Sequence, residues 1–146
     1  MVFKIYYFLQ EYQTVEHLAV LKENYLKAVI TGAKTVECRL SRTRMIPFQA
    51  VGEGDVIWFK MARGPVMARA IADKVEYFDD LSPAKIKMIR SLHQQEILGT
   101  NEFWECRMDC RYGSLIWLKE VKSIQPFVPV FRLAGPWLIL RGKTLQ

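Results

Sequence analysis

Apolar positions change period several times along this chain, and each change predicts an element. Tyr25, Leu26, Val29 and Ile30 recur at i, i+1, i+4 and i+5, so Glu23 to Thr31 reads as a helix with one apolar face. Gly32 follows it, where a left-handed helix stop belongs. His17 to Lys22 before this helix reads as a short strand. Lys34 to Leu40 after it reads as a strand of alternating and β-branched residues. The opening stretch, Met1 to Glu16, is aromatic-rich and has no clear period. It reads as an N-terminal extension, an added strand covering a sheet edge, ahead of a main domain spanning 17–146.

Further on, Ser41 to Gly54 reads as a loop, with Pro47, Gly52 and Gly54 as its punctuation. Asp55 to Lys60 is apolar on both faces, which predicts a central strand. Arg63-Gly64-Pro65 predicts a turn. Val66 to Phe78 is long and extended, with Ala68, Ala70 and Ala72 on one face, small enough for a helix to pack closely. Ser82 to Leu98 is the longest predicted helix. Ser82 is a good N-cap, Pro83 occupies the first helical position, where a missing N–H costs nothing, and Gly99 ends it. Ile86, Ile89, Leu92 and Ile97 are its expected buried stripe. Asn101 to Arg107 predicts a further helical turn or two, Ser114 to Ile124 a strand apolar in both phases, and Trp137 to Arg141 a last strand. Pro126 and Pro129 are expected to break the chain between them.

About six strands and two or three helices result, with the strands in runs rather than strictly alternating with helices. That favours an α+β fold with an antiparallel sheet or small barrel over a doubly wound sheet. The 146 residues suit one domain. With 51% apolar and 12% aromatic residues the chain can close a core, which argues against disorder. No apolar run approaches the roughly 18 residues of a membrane span, and no secretory signal pattern stands at the start, so a cytoplasmic protein away from membranes is expected. The pattern specifies no oligomeric state. Cys38, Cys106 and Cys110, with only His17 and His93, offer no zinc-ligand spacing. They read as reduced thiols, and neither a metal nor a cofactor is expected.

Charge changes the picture more. Lys and Arg outnumber Asp and Glu by 21 to 15, a net +6 that favours acidic partners. Arg39, Arg42 and Arg44 lead from the Lys34–Leu40 strand into the following loop, and Arg63 and Arg69 lie in the next hairpin. If the chain stays extended, the even spacing of Arg42 and Arg44 sets both on one side, a stripe able to follow phosphates. The alternative is an ordinary solvated loop.

The densest chemistry is Gly32-Ala33-Lys34-Thr35-Val36-Glu37-Cys38-Arg39. On a strand, Glu37 and Arg39 share a face about 7 Å apart, with Lys34 at the turn before them. Three charges at a helix–strand junction can line a groove; the plainer reading is a solvated strand edge with a Glu–Arg pair.

The pattern Gly-x-Lys-x-x-Glu-x-Arg, here Gly32, Lys34, Glu37 and Arg39, resembles the hallmark of the ASCH domain, a branch of the PUA-like superfamily. The strand and helix before it, the Gly54-Asp55 leading into the apolar strand Val56-Ile57-Trp58-Phe59, the long helix and the last strands agree with that resemblance over roughly residues 17–140. The resemblance implies a small β-barrel with helices packed around it. It also implies a cleft beside the motif that binds RNA or a modified nucleotide. Some members are ribonucleases, and others are amidohydrolases acting on acetylated cytidine. That second branch carries a threonine three residues after the lysine. Here the position is Glu37, and a carboxylate does not replace a hydroxyl nucleophile in amide hydrolysis. The branch also uses a glutamate on the long helix, for which Glu96 is the nearest candidate.

The expected function is therefore RNA or nucleotide binding, with metal-independent ribonuclease activity as a companion. An amidohydrolase on an N4-acetylcytidine-like nucleoside is the alternative. In the ribonuclease reading Lys34 stabilises charge on phosphate, Glu37 is a base toward a ribose 2′-hydroxyl, and Ser114 is a polar third member. Lys34, Arg39, Arg42 and Arg44 hold the backbone, and Tyr112 stacks on a base. His17 is either a proton carrier or a structural histidine ahead of a core strand. Trp58, Trp104, Trp117 and Trp137 are stacking candidates, with core packing favoured for Trp58 and Trp117.

Overall fold

A computed structural model describes residues 14–141 and Leu145, so the expectation for the N-terminal stretch falls mostly outside the described residues. Among the described residues are six strands and three helices: β1 (Glu16–Leu21), α1 (Glu23–Thr31), β2 (Val36–Ser41), β3 (Val56–Met61), β4 (Val66–Phe78), α2 (Pro83–Ile97), α3 (Asn101–Glu105), β5 (Tyr112–Phe127) and β6 (Trp137–Ile139). They form one sheet in the order β2-β5-β4-β3-β1-β6, a curled half-barrel with helices packed on it, as the α+β reading expects.

Local signals account for most boundaries. Gly32 ends α1 at φ 83°, a left-handed conformation that costs glycine little, and its N–H bonds Val29 O. The Ser82 hydroxyl accepts from Lys85 N at the start of α2, with Pro83 behind it. β3 is central, between β4 and β1.

Three expectations are corrected. Leu92 is 67% exposed, because the buried stripe of α2 runs through Ile86, Ile89 and Ile97. At 100° per residue, Leu92 falls well off that line. α2 ends at Ile97 and is capped by Leu98, left-handed at φ 55°, so Leu98 rather than Gly99 makes the stop. β5 continues through Pro126 to Phe127. β2 pairs with β5 only from Tyr112 to Trp117, so Pro126 lies where β5 has a single neighbour and one missing N–H is tolerated.

The topology decides where the site can form. β1 and β3 pair in parallel, Glu16 opposite Val56. A parallel pair needs a long crossover, and here the crossover contains α1 and β2. It carries β2 to the far edge beside β5, while β1 and β6 close the opposite edge. Curling brings the two edges within side-chain reach. Arg39 of β2 donates from Nη2 to Val20 O of β1 at 2.9 Å, and its guanidinium lies 5.2 Å from the Trp137 ring of β6.

The core forms in three parts. Ala68, Ala70 and Ala72 are buried in one cluster with Leu26 and Val29 of α1, in line with the small-residue face read from the sequence. Ile86, Ile89, Ile97 and Trp104 pack on Val36, Cys38 and Leu115. Leu18, Val66, Leu140 and Leu145 form the third part, with Trp58 packed against it. Trp104 and Trp137 are buried, more deeply than Trp58 and Trp117.

Candidate functional site

A cavity of about 500 Å³ opens where the free edge of β2 faces the end of β1. Among the described residues β2 has no strand partner on that side, and both its faces contribute to the wall. Glu37, Arg39 and Ser41 come from one face, and Cys38 and Leu40 from the other. The loop after β2, the end of α2, and α3 with the turn after it complete the wall.

Lys34 is buried, 3% exposed, because α2 ends over it. Its ammonium donates to Ile97 O at 2.6 Å and Val36 O at 2.8 Å. Ile97 O is among the terminal helix carbonyls that lack an intrahelical partner, so the lysine caps the negative end of the helix. One of its three donors is left, and the Tyr25 ring lies 5.3 Å from it. Backbone bonds hold the turn, Lys34 N to Ala28 O and Thr35 N to Glu96 O.

Glu37 and Arg39 share a face, as the strand period requires. Arg39 Nε donates to Glu37 Oε1 at 3.1 Å. Glu37 is 4% exposed, and its Oε2 has no hydrogen-bond partner among the described residues. An unpaired buried carboxylate oxygen is costly, and this one belongs to a residue lining the cavity. Arg39 spends its donors on protein: Nε on Glu37, Nη2 on Val20 O, and Nη1 on Pro136 O at 3.5 Å. It staples the two sheet edges and orients Glu37. Ser114 lies opposite Arg39 in the β2–β5 register, so both stand on the same face, and it lines the cavity with Tyr112.

The arginine stripe does not form. The chain turns after Ser41 instead of staying extended. Arg42 pairs with Asp109 at 2.6 Å, in solvent. Arg44 bonds Gln49 and stacks on the Phe48 and Tyr112 rings. Neither lines the cavity, although Arg44 backs two aromatic residues that do. Arg69 lies against Trp58, away from the cavity. His17 is fully buried and serves the fold. Trp137 Nε1 can only donate, so it bonds an unprotonated His17 Nδ1 at 3.2 Å, and Nε2 donates to Asp55 Oδ2 at 2.8 Å. Glu96 bonds His93 and Trp117, not the cavity.

Several lining residues were not picked out from the sequence: Tyr25, Phe48, Phe103 and Arg107. Arg107 follows Phe103 by four residues, a helix-type spacing that was legible, and its guanidinium lies 4.1 Å from that ring. Cys38 registers the charges gathered here. Burial pushes its thiol up to about 12. Lys34, Arg107 and Arg39 pull it down and Glu37 pushes it up, so four charged groups act on one buried sulfur.

The ASCH protein of Zymomonas mobilis superposes on this chain with a TM-score of 0.68 at 20% identity, over 86% of this chain and 87% of that one. A tyrosine-to-phenylalanine variant of it gives the same TM-score and identity over 86% and 90%. A serine-to-alanine variant gives 0.68 at 18% identity over 86% and 88%. The fold is ASCH-like. No protein-family model matches the sequence, and no curated protein does. Among the described residues of this ASCH-like chain, no helix is long and apolar enough to cross a membrane.

Proposed function

We propose that the cavity beside β2 binds RNA through one of its nucleotides, and that a metal-independent ribonuclease activity accompanies binding. The observation that carries this reading is the orphan oxygen of Glu37. A buried acceptor without a protein partner calls for a ligand N–H or O–H. A base edge supplies the first and a ribose hydroxyl the second. Aromatic rings at the wall, Tyr25, Phe48, Phe103 and Tyr112, suit an unstacked base. A volume of about 500 Å³ matches one nucleotide rather than a duplex.

Cleavage would use the same groups. Glu37 accepts the proton of a 2′-hydroxyl as its oxygen attacks the adjacent phosphorus, the bond from phosphorus to the 5′-oxygen of the next nucleotide breaks to leave a 2′,3′-cyclic phosphate, and the departing 5′-oxygen takes a proton from water. Lys34, held by two carbonyls and by no carboxylate, is a fixed positive charge for the phosphoryl oxygens. Ser114 is the polar third member. Arg39 supports the reaction by holding Glu37. Backbone contacts by Arg42 and Arg44 belong to RNA passing outside the cavity.

Short single-stranded RNA incubated with the protein in EDTA tests both parts. Binding together with cleavage that stops in Lys34→Ala is the expected result. If wild-type protein leaves RNA intact while Lys34→Ala loses binding, the ribonuclease part is wrong and the binding part stands. Wild-type protein that binds neither RNA nor nucleotides would remove the whole reading.

A further inference from the structure

We infer that Arg107 is a phosphate-binding residue of this cavity, so that its preferred ligand class is phosphorylated: a nucleotide or RNA residue rather than a free nucleoside. The inference rests on the nucleotide reading above and goes beyond it by naming the group that holds the other end of the ligand.

Three observations carry it. The first is an imbalance of charge. The lining residues include four cations, Lys22, Lys34, Arg39 and Arg107, and two carboxylates, Glu37 and Glu102. Arg39 neutralises Glu37. Among the described residues, neither Lys34 nor Arg107 has a carboxylate within 4 Å. The cavity is therefore short of negative charge.

The second is the geometry of Arg107. Its guanidinium lies over the Phe103 ring at 4.1 Å, and Nη1 donates to Phe103 O at 3.0 Å. The ring contact and the bond to Phe103 O together hold the group in place at the cavity wall. Among the described residues, only one of its five N–H donors has a protein acceptor. A planar fork held on an aromatic face matches a phosphate through two parallel bonds.

The third is chemical separation within one cavity. Glu37 Oε2 offers an acceptor for a ligand N–H or O–H, while Arg107, on the turn after α3, offers donors for an anion. A ligand meeting both needs a donor at one end and an anion at the other. A nucleoside phosphate is such a molecule, with its base or ribose hydroxyl at Glu37 and its phosphate at Arg107.

Calorimetric titration of the full chain with the four ribonucleosides, their 5′-monophosphates and a dinucleoside monophosphate tests this. A phosphate seated on Arg107 should make the monophosphate bind about tenfold or more tighter than its nucleoside. That ratio should fall toward one in Arg107→Ala and stay intermediate in Arg107→Lys. Arg107→Gln keeps the side-chain length, and it is the variant measured if Arg107→Ala does not fold. Lys119→Ala, an exposed charge paired with Asp73, controls for net charge and should keep the ratio. Preference for the dinucleotide over the monophosphates would assign the site to a diester within RNA, and the reverse to a terminal phosphate. A ratio of one in the wild type, a ratio kept in the Arg107 variants, or an equal fall in Lys119→Ala overturns the inference. If nucleosides bind and phosphate adds nothing, only the role of Arg107 fails. If neither series binds, the nucleotide reading fails with it.

Discussion

Replacing Glu37 by glutamine alters the charge and one terminal atom while keeping the shape of the side chain. Oε1 still accepts from Arg39 Nε, at 3.1 Å in the wild type, and an NH2 takes the place of the unpaired Oε2. Two effects on stability oppose each other: the ion pair with Arg39 weakens, and an unpartnered charged oxygen gives way to an unpartnered neutral amide, which costs less to bury. Each is about 1 kcal/mol, so Glu37→Gln should shift the melting temperature by less than about 5 °C. Ligand binding should respond quite differently, because an acceptor has become a donor at the point where the ligand must donate. Loss of one charge-assisted hydrogen bond is about 1.5–3 kcal/mol, or roughly a 10- to 150-fold rise in Kd. Thermal melting and RNA titration of the same preparation separate the two effects. A variant that melts near wild type and binds RNA as wild type does would refute the assignment of Glu37 as ligand acceptor. A fall in melting temperature as large as that of a pair-breaking variant would show that Oε2 serves the fold instead.

Arg39→Ala should lose about 3–5 kcal/mol, toward the low end because the arginine is 20% exposed, since it strands the Glu37 carboxylate and frees the two sheet edges; urea unfolding reads this, and a loss below about 1 kcal/mol would contradict the staple. Asp55→Ala removes the acceptor of Val15 N, Gly52 N and His17 Nε2 together and should cost about 3 kcal/mol or more, with a change under 1 kcal/mol counting against it. The Cys38 thiol, pushed up to about 12 from 9.0 by burial, stays protonated in the folded state. Its contribution is whole below pH 9 and is lost as pH rises from 9 toward 12, by about 1.4 kcal/mol per pH unit. Alkaline unfolding of Cys38→Ala should therefore be shallower than that of the wild type, and equal slopes would refute the burial argument.

Much of this protein was legible in order along the chain. Residues that act within one turn or one strand carry signals that do not depend on partners. Pro83 after Ser82 starts a helix, Gly32 stops one, and alternation puts Glu37 and Arg39 on one face. The motif spacing likewise pointed to the strand that borders the cavity. The status of Leu92 and Pro126 depends instead on what lies beside them in space: which face of α2 meets β2, and how far β2 accompanies β5.

The tertiary structure decided what each charged group is free to do. Arg39, Arg42 and Arg44 look alike in a list of spacings. Folding makes the first a staple between sheet edges, pairs the second with Asp109 67 residues away, and stacks the third on Phe48 and Tyr112. Arg107, unremarked in the sequence, reaches the cavity because the turn after α3 packs over β2. The orphan oxygen of Glu37 is also a property of the fold alone, since an unmet hydrogen bond exists only once every other partner has been placed. Periodicity and capping act over a few residues and so are written locally. Burial, pairing and the cavity itself depend on contacts between distant segments, and those exist only after the sheet has curled.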